Sequence, residues 1–596
     1  MGKVKILGPE IVSKIAAGEV VDRPASLVKE LIENALDAHT SKIDITLTQA
    51  GKTFIHIKDS GTGIEPDDLE KIFRRHATSK LTTLNDLYTI QSLGFRGEAL
   101  YSIASVSDII VRSKTQGEDA GRQIHVRGGT HLTLHPINMP QGTEVEVREL
   151  FFNTPARKKF LKSDLTELHH ILNTVTPYTL VYPLCRFTLT HYNKTLLELS
   201  SQPSMIERAS GVLGLNSQHI IEAQHNIPRQ NISLKFLLGD INIRRAKKDM
   251  QFIFVNKRPV QHRGIRYCLN HAYRSILPHD VHPFFMLHIE LPPQDVDVNI
   301  HPTKREVKIK DEYNLISLLR SLCEKILVEQ GMPRQMDASP FNHSLGRHQD
   351  NVSVSTPSSH ISPEVSQTKT QATVHQYRLV QEEQLPQLEE RGIDFSKKYA
   401  IPHTEHATYK EKLSQARFVG TFIKKYLLFE YHTSLLIVDQ HAAQERITFE
   451  KLKKQVNQGH LATQHLLSPL TLKVSAQEML NWESGKDKLS ELGFSTTLWD
   501  KETIAIHTYP QLIKDPHTSV RNILGEESVS RCDLETLARR ACRQSLMTGY
   551  EMIKEQADYL RNELLKCTSP FTCPHGRPII IELQEKMLDK YFLRKK

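Results

Sequence analysis

The first strongly periodic stretch lies at residues 27–38. Leu27, Val28, Leu31, Ile32, Ala35 and Leu36 recur at helical spacing and form one apolar stripe. Glu30, Glu33, Asn34 and Asp37 follow at i, i+3, i+4 and i+7 and form a second, acidic stripe. The pattern predicts an amphipathic helix over Pro24–Ala38. Alternation then predicts strands at Lys42–Thr48, Thr53–Lys58 and Thr143–Val147, and helical spacing predicts helices at Pro66–Phe73 and Glu98–Ala104. Residues 1–205 are therefore expected to form a mixed α/β domain.

A second α/β unit is expected over 206–331. Its strands fall at Ser233–Gly239, Gln251–Val255 and Asp295–Ile300, its helices at Arg263–Ile276 and Asn314–Val328. Residues 332–412 lose the apolar period and become rich in Ser, Thr, Pro, Gln and His, which predicts a flexible linker. Order resumes in 413–596, where strands Tyr426–Tyr431 and Ser434–Asp439 flank a tight turn at His432–Thr433. No internal repeat is visible. The expected class is a multidomain α+β, or mixed α/β, chain.

Composition changes this picture only at the edges. A chain of 596 residues is too long for one core, which agrees with the division above. The net charge of +9 permits a polyanionic partner without requiring one. Seven cysteines, an odd number concentrated late in the chain, suggest metal ligands or free thiols rather than a disulfide framework. No apolar run reaches bilayer length and the N-terminus lacks a signal-peptide order, so the reducing cell interior is the expected compartment.

Several stretches carry candidate chemistry. Carboxylates at the spacing of Glu30, Glu33 and Asp37 repel one another by roughly a few tenths of a kcal/mol per pair. A hard cation relieves that repulsion, and the Asn34 amide oxygen suits it as an additional ligand; a solvated helix face is the plain alternative. Asp59-Ser60-Gly61-Thr62-Gly63 places a carboxylate at a strand end beside backbone that a ligand can approach closely. Gly94-Phe95-Arg96-Gly97 precedes a helix start, where backbone N–H groups and the helix dipole favour an anion. Between them Arg75-His76-Ala77-Thr78-Ser79-Lys80 forms a basic candidate lid. Gly51-Lys52-Thr53 imitates the end of a P-loop, but Thr46 stands where that loop needs glycine.

Basic residues gather in the second unit at Arg244, Arg245, Lys247, Lys248, Arg263, Arg266 and Arg274. Their concentration favours a sequence-independent phosphate-tracking groove for DNA. In the last unit His441 and Glu445 are i, i+4 on a predicted helix, and Asp439 closes the strand before it. By itself that arrangement reads first as a capped amphipathic helix, with a shared metal as the alternative. Cys542, Cys573 and His575 add thiols and an imidazole, the donor set of zinc or manganese.

Glu-x-x-x-Asn-x-x-Asp-Ala, Asp-x-Gly-x-Gly and Gly-Phe-Arg-Gly-Glu-Ala-Leu in this order resemble the GHKL ATPase superfamily of type II gyrases, heat-shock chaperones, histidine kinases and MutL. Arg75–Lys80 and Asn153-Thr154-Pro155-Ala156-Arg157-Lys158-Lys159-Phe160-Leu161 narrow the resemblance to the MutL mismatch-repair family. The resemblance implies a GHKL-type ATPase domain, a ribosomal-protein-like transducer domain, a linker and a C-terminal dimerisation and endonuclease domain. It implies Glu33 as the general base, Asn34 as the Mg²⁺ ligand and Asp59 as acceptor of the adenine amino group. Gly61, Gly63, Thr78, Ser79, Lys80, Gly94, Phe95, Arg96, Gly97 and Thr143 would surround ATP, and Lys304 would reach the γ-phosphate from the second domain. Asp37 receives no role beyond supporting the helix.

Asp439-Gln440-His441-Ala442-Ala443-Gln444-Glu445, continuing to Glu450, matches the endonuclease version of the family. The match implies metal-dependent strand nicking with Asp439 and Glu445 catalytic. Asp439, His441, Glu445, Cys542, Cys573 and His575 would hold Zn²⁺ or Mn²⁺. Two departures concern substrate contact: Gln544–Met547 contains no basic residue, and Ile579 stands where Thr is common. Gln464-His465-Leu466-Leu467-Ser468-Pro469 resembles a segment that docks on the replication sliding clamp, or is a strand entering a turn. The implied partners are DNA, a MutS-type recognition protein, the clamp and a second copy in a homodimer, in the bacterial cytoplasm with the nucleoid and without a membrane. The alternative is an ATP-dependent matchmaker with no nuclease of its own.

Overall fold

Pro24 opens helix α1 (Pro24–Asp37) at a position where its fixed φ is already helical and its missing N–H costs nothing. The computed structural model describes residues 21–591, except 82, 84–85, 87–88, 91, 246, 275, 278–280, 299–305, 331–405, 460, 526–528, 543–550 and 575. Leu27, Val28, Leu31, Ile32, Ala35 and Leu36 are all buried. Each large one contributes roughly 1.5–3 kcal/mol of burial. The apolar stripe thus fixes which way the acidic stripe faces.

Behind α1 stands an eight-stranded sheet in the order β5-β4-β3-β6-β2-β1-β7-β8. Its strands are β1 (Lys42–Thr48), β2 (Phe54–Asp59), β3 (Asp108–Lys114), β4 (Gly121–Arg127), β5 (Thr130–Ile137), β6 (Gly142–Arg148), β7 (Arg186–His191) and β8 (Lys194–Leu199). Ile43, Ile45 and Leu47 alternate with half-exposed residues along β1, the signature of a sheet covered on one face. Helices α2 (Ala99–Val106), α3 (Pro155–Phe160), α4 (Asp164–Val181) and α5 (Met205–Leu213) complete this unit, with α1 packed on α4.

The second unit has the sheet order β13-β12-β15-β10-β9. It comprises β9 (Ile220–Ile227), β10 (Ile232–Gly239), the short β11 (Arg244–Arg245), β12 (Gln251–Val255), β13 (Arg258–Pro259), β14 (His282–Pro283) and β15 (Phe285–Glu290). Helices α6 (Arg263–Ala272) and α7 (Glu312–Glu329) cover one face. Leu237, Phe254 and Met286 on the other face join the core of the first unit. The two sheets are therefore mechanically continuous. Strands β16 (Val296–Asp297) and β17 (Lys308–Ile309) pair beside the stretch that contains Lys304, which itself lies outside the described residues.

In the last unit α8 (His406–Gln415) leads into the sheet β18-β19-β20-β24. Its strands are β18 (Arg417–Phe422), β19 (Tyr426–Tyr431), β20 (Ser434–Asp439) and, much later, β24 (Ile580–Gln584). Helix α9 (Gln440–Gln458) leaves β20 directly. A second sheet follows, β21 (Thr463–Lys473), β22 (Ser495–Asp500) and β23 (Thr503–Pro510), in the order β21-β23-β22. Helices α10 (Ala476–Glu491), α11 (Pro516–Leu524), α12 (Leu534–Cys542), α13 (Lys554–Leu565) and α14 (Glu585–Tyr591) complete it.

Three expectations need correction. Pro66–Phe73 is a run of turns ending in a three-residue 3₁₀ turn, not an α-helix. Leu69 and Phe73 are buried there all the same, carried by successive turns in which Asp68 N donates to Glu65 O, Lys71 N to Asp68 O and Arg74 N to Lys71 O. Helix α6 stops at Ala272 rather than Ile276. Ala209, Val212, Leu213 and Ile220, on the far side of the expected boundary at 205/206, are buried in one cluster with the first core. The end of the expected linker is also wrong, since α8 begins inside it at His406.

Candidate functional sites

Helix α1 carries its acidic face to the mouth of the first sheet, and the residues on it are not equivalent. Glu33 is 1% exposed. It accepts a hydrogen bond from Tyr178 Oη of α4 at 2.6 Å, and Lys29 Nζ lies 2.9 Å from the same oxygen. Lys29 also donates to Glu30 Oε1 at 2.8 Å. Burial alone would lower the Lys29 pKa, but Glu33 and Glu30 outweigh it and hold the ammonium charged. Burial and the Glu33 carboxylate together push the Tyr178 phenol well above its ordinary range. Glu30 keeps 14% of its side chain accessible and lines a cavity of about 870 Å³.

One turn further, Asn34 and Asp37 converge on a cation supplied by the chain itself. Lys80 Nζ lies 3.2 Å from Asn34 Oδ1 and 2.5 Å from Asp37 Oδ2. Asp37 also accepts from Leu93 N at 2.8 Å and Gly94 N at 3.0 Å. It therefore ties together the helix, the candidate lid and the glycine turn, a larger role than helix support. Oxygen donors already arranged around an ammonium fit Mg²⁺ as well.

Asp59 closes β2 and accepts from Gly61 N at 2.8 Å. Burial raises its pKa to about 6, partly opposed by the N–H groups of Gly61 and Thr143. Thr143 is buried and its hydroxyl meets Ser113 Oγ at 3.0 Å, so Thr143 acts on Asp59 through its backbone. Gly63 has φ +81, and a Cβ there would stand 2.3 Å from Lys114 O. Gly97 has φ +62, and its Cβ would stand 2.4 Å from Ala77 O, which binds the turn closely to the lid. Thr78 and Ser79 are exposed and Lys80 half-buried. The Phe95 side chain is buried, leaving its backbone to the site, while Arg96 lies over the Phe95 ring at 5.7 Å.

The basic residues of the second unit divide. Arg263, Arg274 and Lys248 are exposed, Lys247 and Arg266 half-buried, and the Arg244 side chain lies outside the described residues. Arg245 corrects the expectation of a DNA contact. It is buried and its Nη1 pairs with Glu478 Oε1 of α10 at 2.6 Å, so in this arrangement no phosphate can reach it.

At the last unit Asp439 is a helix cap. Its Oδ1 accepts from His441 N at 2.9 Å and Ala442 N at 3.0 Å. Glu445 is buried on α9 beside Cys542 of α12, and burial first, then Glu445, pushes the Cys542 thiol far up. His441 Nδ1 is buried without a hydrogen-bond partner among the described residues. Cys573 accepts from Arg577 N at 3.3 Å. Arg446 fastens that loop to α9 through Thr572 O at 2.6 Å and Cys573 O at 2.9 Å.

Among the described residues no three His, Cys, Asp or Glu side chains converge to hold a metal ion. Cys542 and Cys573 belong to separate apolar clusters, and His575 lies outside the described residues. Glu450 is structural, accepting from Thr568 N at 2.6 Å and Ser569 N at 3.2 Å. At the candidate clamp segment, β21 shifts register between His465 and Leu470. Leu466–Pro469 thus forms a bulge within a continuous strand, with Leu467 fully exposed.

Comparison with known proteins follows the same three units. Residues 23–133 match the histidine kinase-, DNA gyrase B- and HSP90-like ATPase family. Residues 213–328 match the C-terminal domain of DNA mismatch repair proteins, and 419–552 the MutL C-terminal dimerisation domain. The DNA mismatch repair protein MutL of Endomicrobium trichonymphae is 33% identical over 606 residues, covering 99% of this chain and 100% of that protein. The chain belongs to the MutL family of DNA mismatch repair proteins. The Coxiella burnetii MutL is 32% identical over 99% of both chains. Among solved structures, the Aquifex aeolicus MutL ATPase domain complexed with ADP is 30% identical, covering 51% of this chain and 98% of that one, with a TM-score of 0.37. The N-terminal domain of a DNA repair protein is 27% identical, covering 54% and 98%, with a TM-score of 0.47.

Within this MutL-family chain, sequence reasoning placed Glu30 and Asp37 on the acidic stripe but gave neither a part in ATP hydrolysis, and it passed over Lys29, Tyr178 and Arg446. Glu30 and Asp37 had a signal, since Glu-x-x-x-Asn counted back from Asn34 lands on Glu30. Tyr178 had none: it meets Glu33 across 145 residues of sequence.

Proposed function

We propose that the chain is an ATP-hydrolysing mismatch-repair clamp whose base is Glu30 rather than Glu33. The observation that carries this is the unequal treatment of the two carboxylates. Glu33 is 1% exposed and bonded to Lys29 and Tyr178 in the interior, whereas Glu30 keeps 14% of its side chain accessible with the Lys29 ammonium to orient it. A general base must reach the water it deprotonates. Bound Mg²⁺ would bridge the phosphates and neutralise developing charge. Asn34 and Asp37 would hold it, Lys80 would turn from them to the phosphates, and Asp59 would accept from the adenine amino group. Lys304 would report the γ-phosphate to the second domain. In a phosphate-release assay Glu30→Ala should abolish turnover while an ATP analogue still binds; Glu33→Gln should retain measurable turnover. The reverse ranking would restore Glu33 as base.

The C-terminal unit would hold two copies together, with the segment between the units allowing DNA to be encircled. Exposed Arg263, Arg274 and Lys248 would track phosphates, and the β21 bulge with Gln464, Leu466, Leu467 and Pro469 would meet the clamp. A MutS-type protein would supply mismatch recognition, in the bacterial cytoplasm. Among the described residues no helix is long and apolar enough to cross a membrane.

A nicking activity is the second reading, favoured by buried Glu445 beside Cys542 and by the unmatched His441 Nδ1. Buried polar groups without partners are rare and point to an absent ligand. Those three residues, with Cys573 and His575, would hold Zn²⁺ or Mn²⁺, and Asp439 would orient them through its cap. Supercoiled plasmid with Mn²⁺ should be nicked by the wild type and not by Glu445→Gln. Equal inertness of both would leave a matchmaker that recruits a separate nuclease.

A further inference from the structure

Arg258 belongs to the second unit by sequence and touches the first. It follows a two-residue turn, Asn256-Lys257, with φ of 49 and 63, so Val255 and Arg258 face each other across a tight hairpin. The hairpin is anchored to its own sheet. Asn256 N donates to Ile289 O at 2.9 Å, and its side chain both donates to Leu291 O at 3.0 Å and accepts from Leu291 N at 2.8 Å. Arg258 projects from this anchored base and is 5% exposed.

Its Nη2 donates to Ser92 O at 2.8 Å, across 166 residues of sequence. Ser92 immediately precedes Leu93 and Gly94, whose N–H groups are held by Asp37. The start of the glycine turn is thus gripped from two sides, by α1 of the first unit and by the hairpin of the second. The other nitrogen, Nη1, is buried and has no hydrogen-bond partner among the described residues. Arg258 lines the same cavity as Glu30, Glu33 and Tyr178. An unmet buried donor costs about 1–3 kcal/mol. This arrangement therefore gains from any rearrangement of the turn that brings an acceptor to Nη1.

We infer that Arg258 is a positioning residue through which occupancy of the Gly94–Gly97 turn is transmitted to the second sheet. A shift at the turn alters the Ser92 contact, and the anchored hairpin passes it to β12 and β15. Two states that differ in a specific contact are what a ligand needs to shift an equilibrium. The inference rests on the reading of that turn as a phosphate site.

Amide hydrogen exchange on the full chain, with Mg²⁺ and a non-hydrolysable ATP analogue, tests it. In the wild type the analogue should slow exchange at Gly94–Gly97 and at the hairpin around Asn256. In Arg258→Met the turn should still be protected and the hairpin not, with analogue affinity weakened about fivefold or more. Arg258→Lys, which keeps a donor for Ser92 O, should recover hairpin protection. Hairpin protection that persists in Arg258→Met overturns the inference. Loss of protection at Gly94–Gly97 in the wild type would instead overturn the phosphate-site reading beneath it.

Discussion

Asp59 concentrates the tension between stability and function in a single carboxyl group. Burial raises its pKa from 3.8 to about 6, so the ionised form is disfavoured by the fold. A raised carboxyl pKa means the native state holds the proton more tightly than the unfolded chain. Asp59 therefore costs stability as pH rises from about 4 to 6, and that cost is fully present at pH 7. The proposed contact with the adenine amino group is strongest with the ionised form. Nucleotide affinity should be full near pH 7 and fall as pH drops through 6, approaching tenfold per unit below it. Asp59→Asn should lose most affinity and this pH dependence, while raising the thermal stability of nucleotide-free protein by about 1–3 kcal/mol. Calorimetric titration and melting curves check both directions; an unchanged pH profile would remove Asp59 from the site.

At the scale of elements, local periodicity made α1, β1, β2, β6 and α7 legible. Each has a clear helical or alternating period, and each buries the face that period predicts. Pro66–Phe73 has the period and buries Leu69 and Phe73, but does so with successive turns rather than an α-helix. The candidate site was legible where a motif is continuous, as at Asn34, Asp59 and Gly94–Gly97. It was not legible where a contact is made by folding: Tyr178 on Glu33, Arg258 on Ser92 and Glu478 on Arg245 join residues with no sequence relation. The β21 bulge is intermediate. Its motif could be read, but exposure of Leu467 depends on the register shift beside it. Leu467→Asp should abolish binding of the purified sliding clamp in a pull-down and leave ATP turnover unchanged. Undiminished clamp binding would make the bulge a local irregularity of the strand.

At the scale of the whole molecule, the first two sheets share a core, because Leu237, Phe254 and Met286 are buried against the first unit. A change at the glycine turn can therefore reach the second sheet without a flexible intermediary. Arg245 adds a third party, since its buried pair with Glu478 sets the last unit against the basic region. Removing one partner of such a pair typically costs about 3–5 kcal/mol. Any DNA phosphate that engaged Arg245 would have to displace that carboxylate.

All of this depends on α1 presenting a magnesium–nucleotide site, and equilibrium dialysis with a labelled non-hydrolysable ATP analogue tests that most directly. Saturable, Mg²⁺-dependent binding that survives Glu30→Ala and disappears in Asn34→Ala is the expected result. Binding that is absent in the wild type, or indifferent to Asn34→Ala, would contradict it.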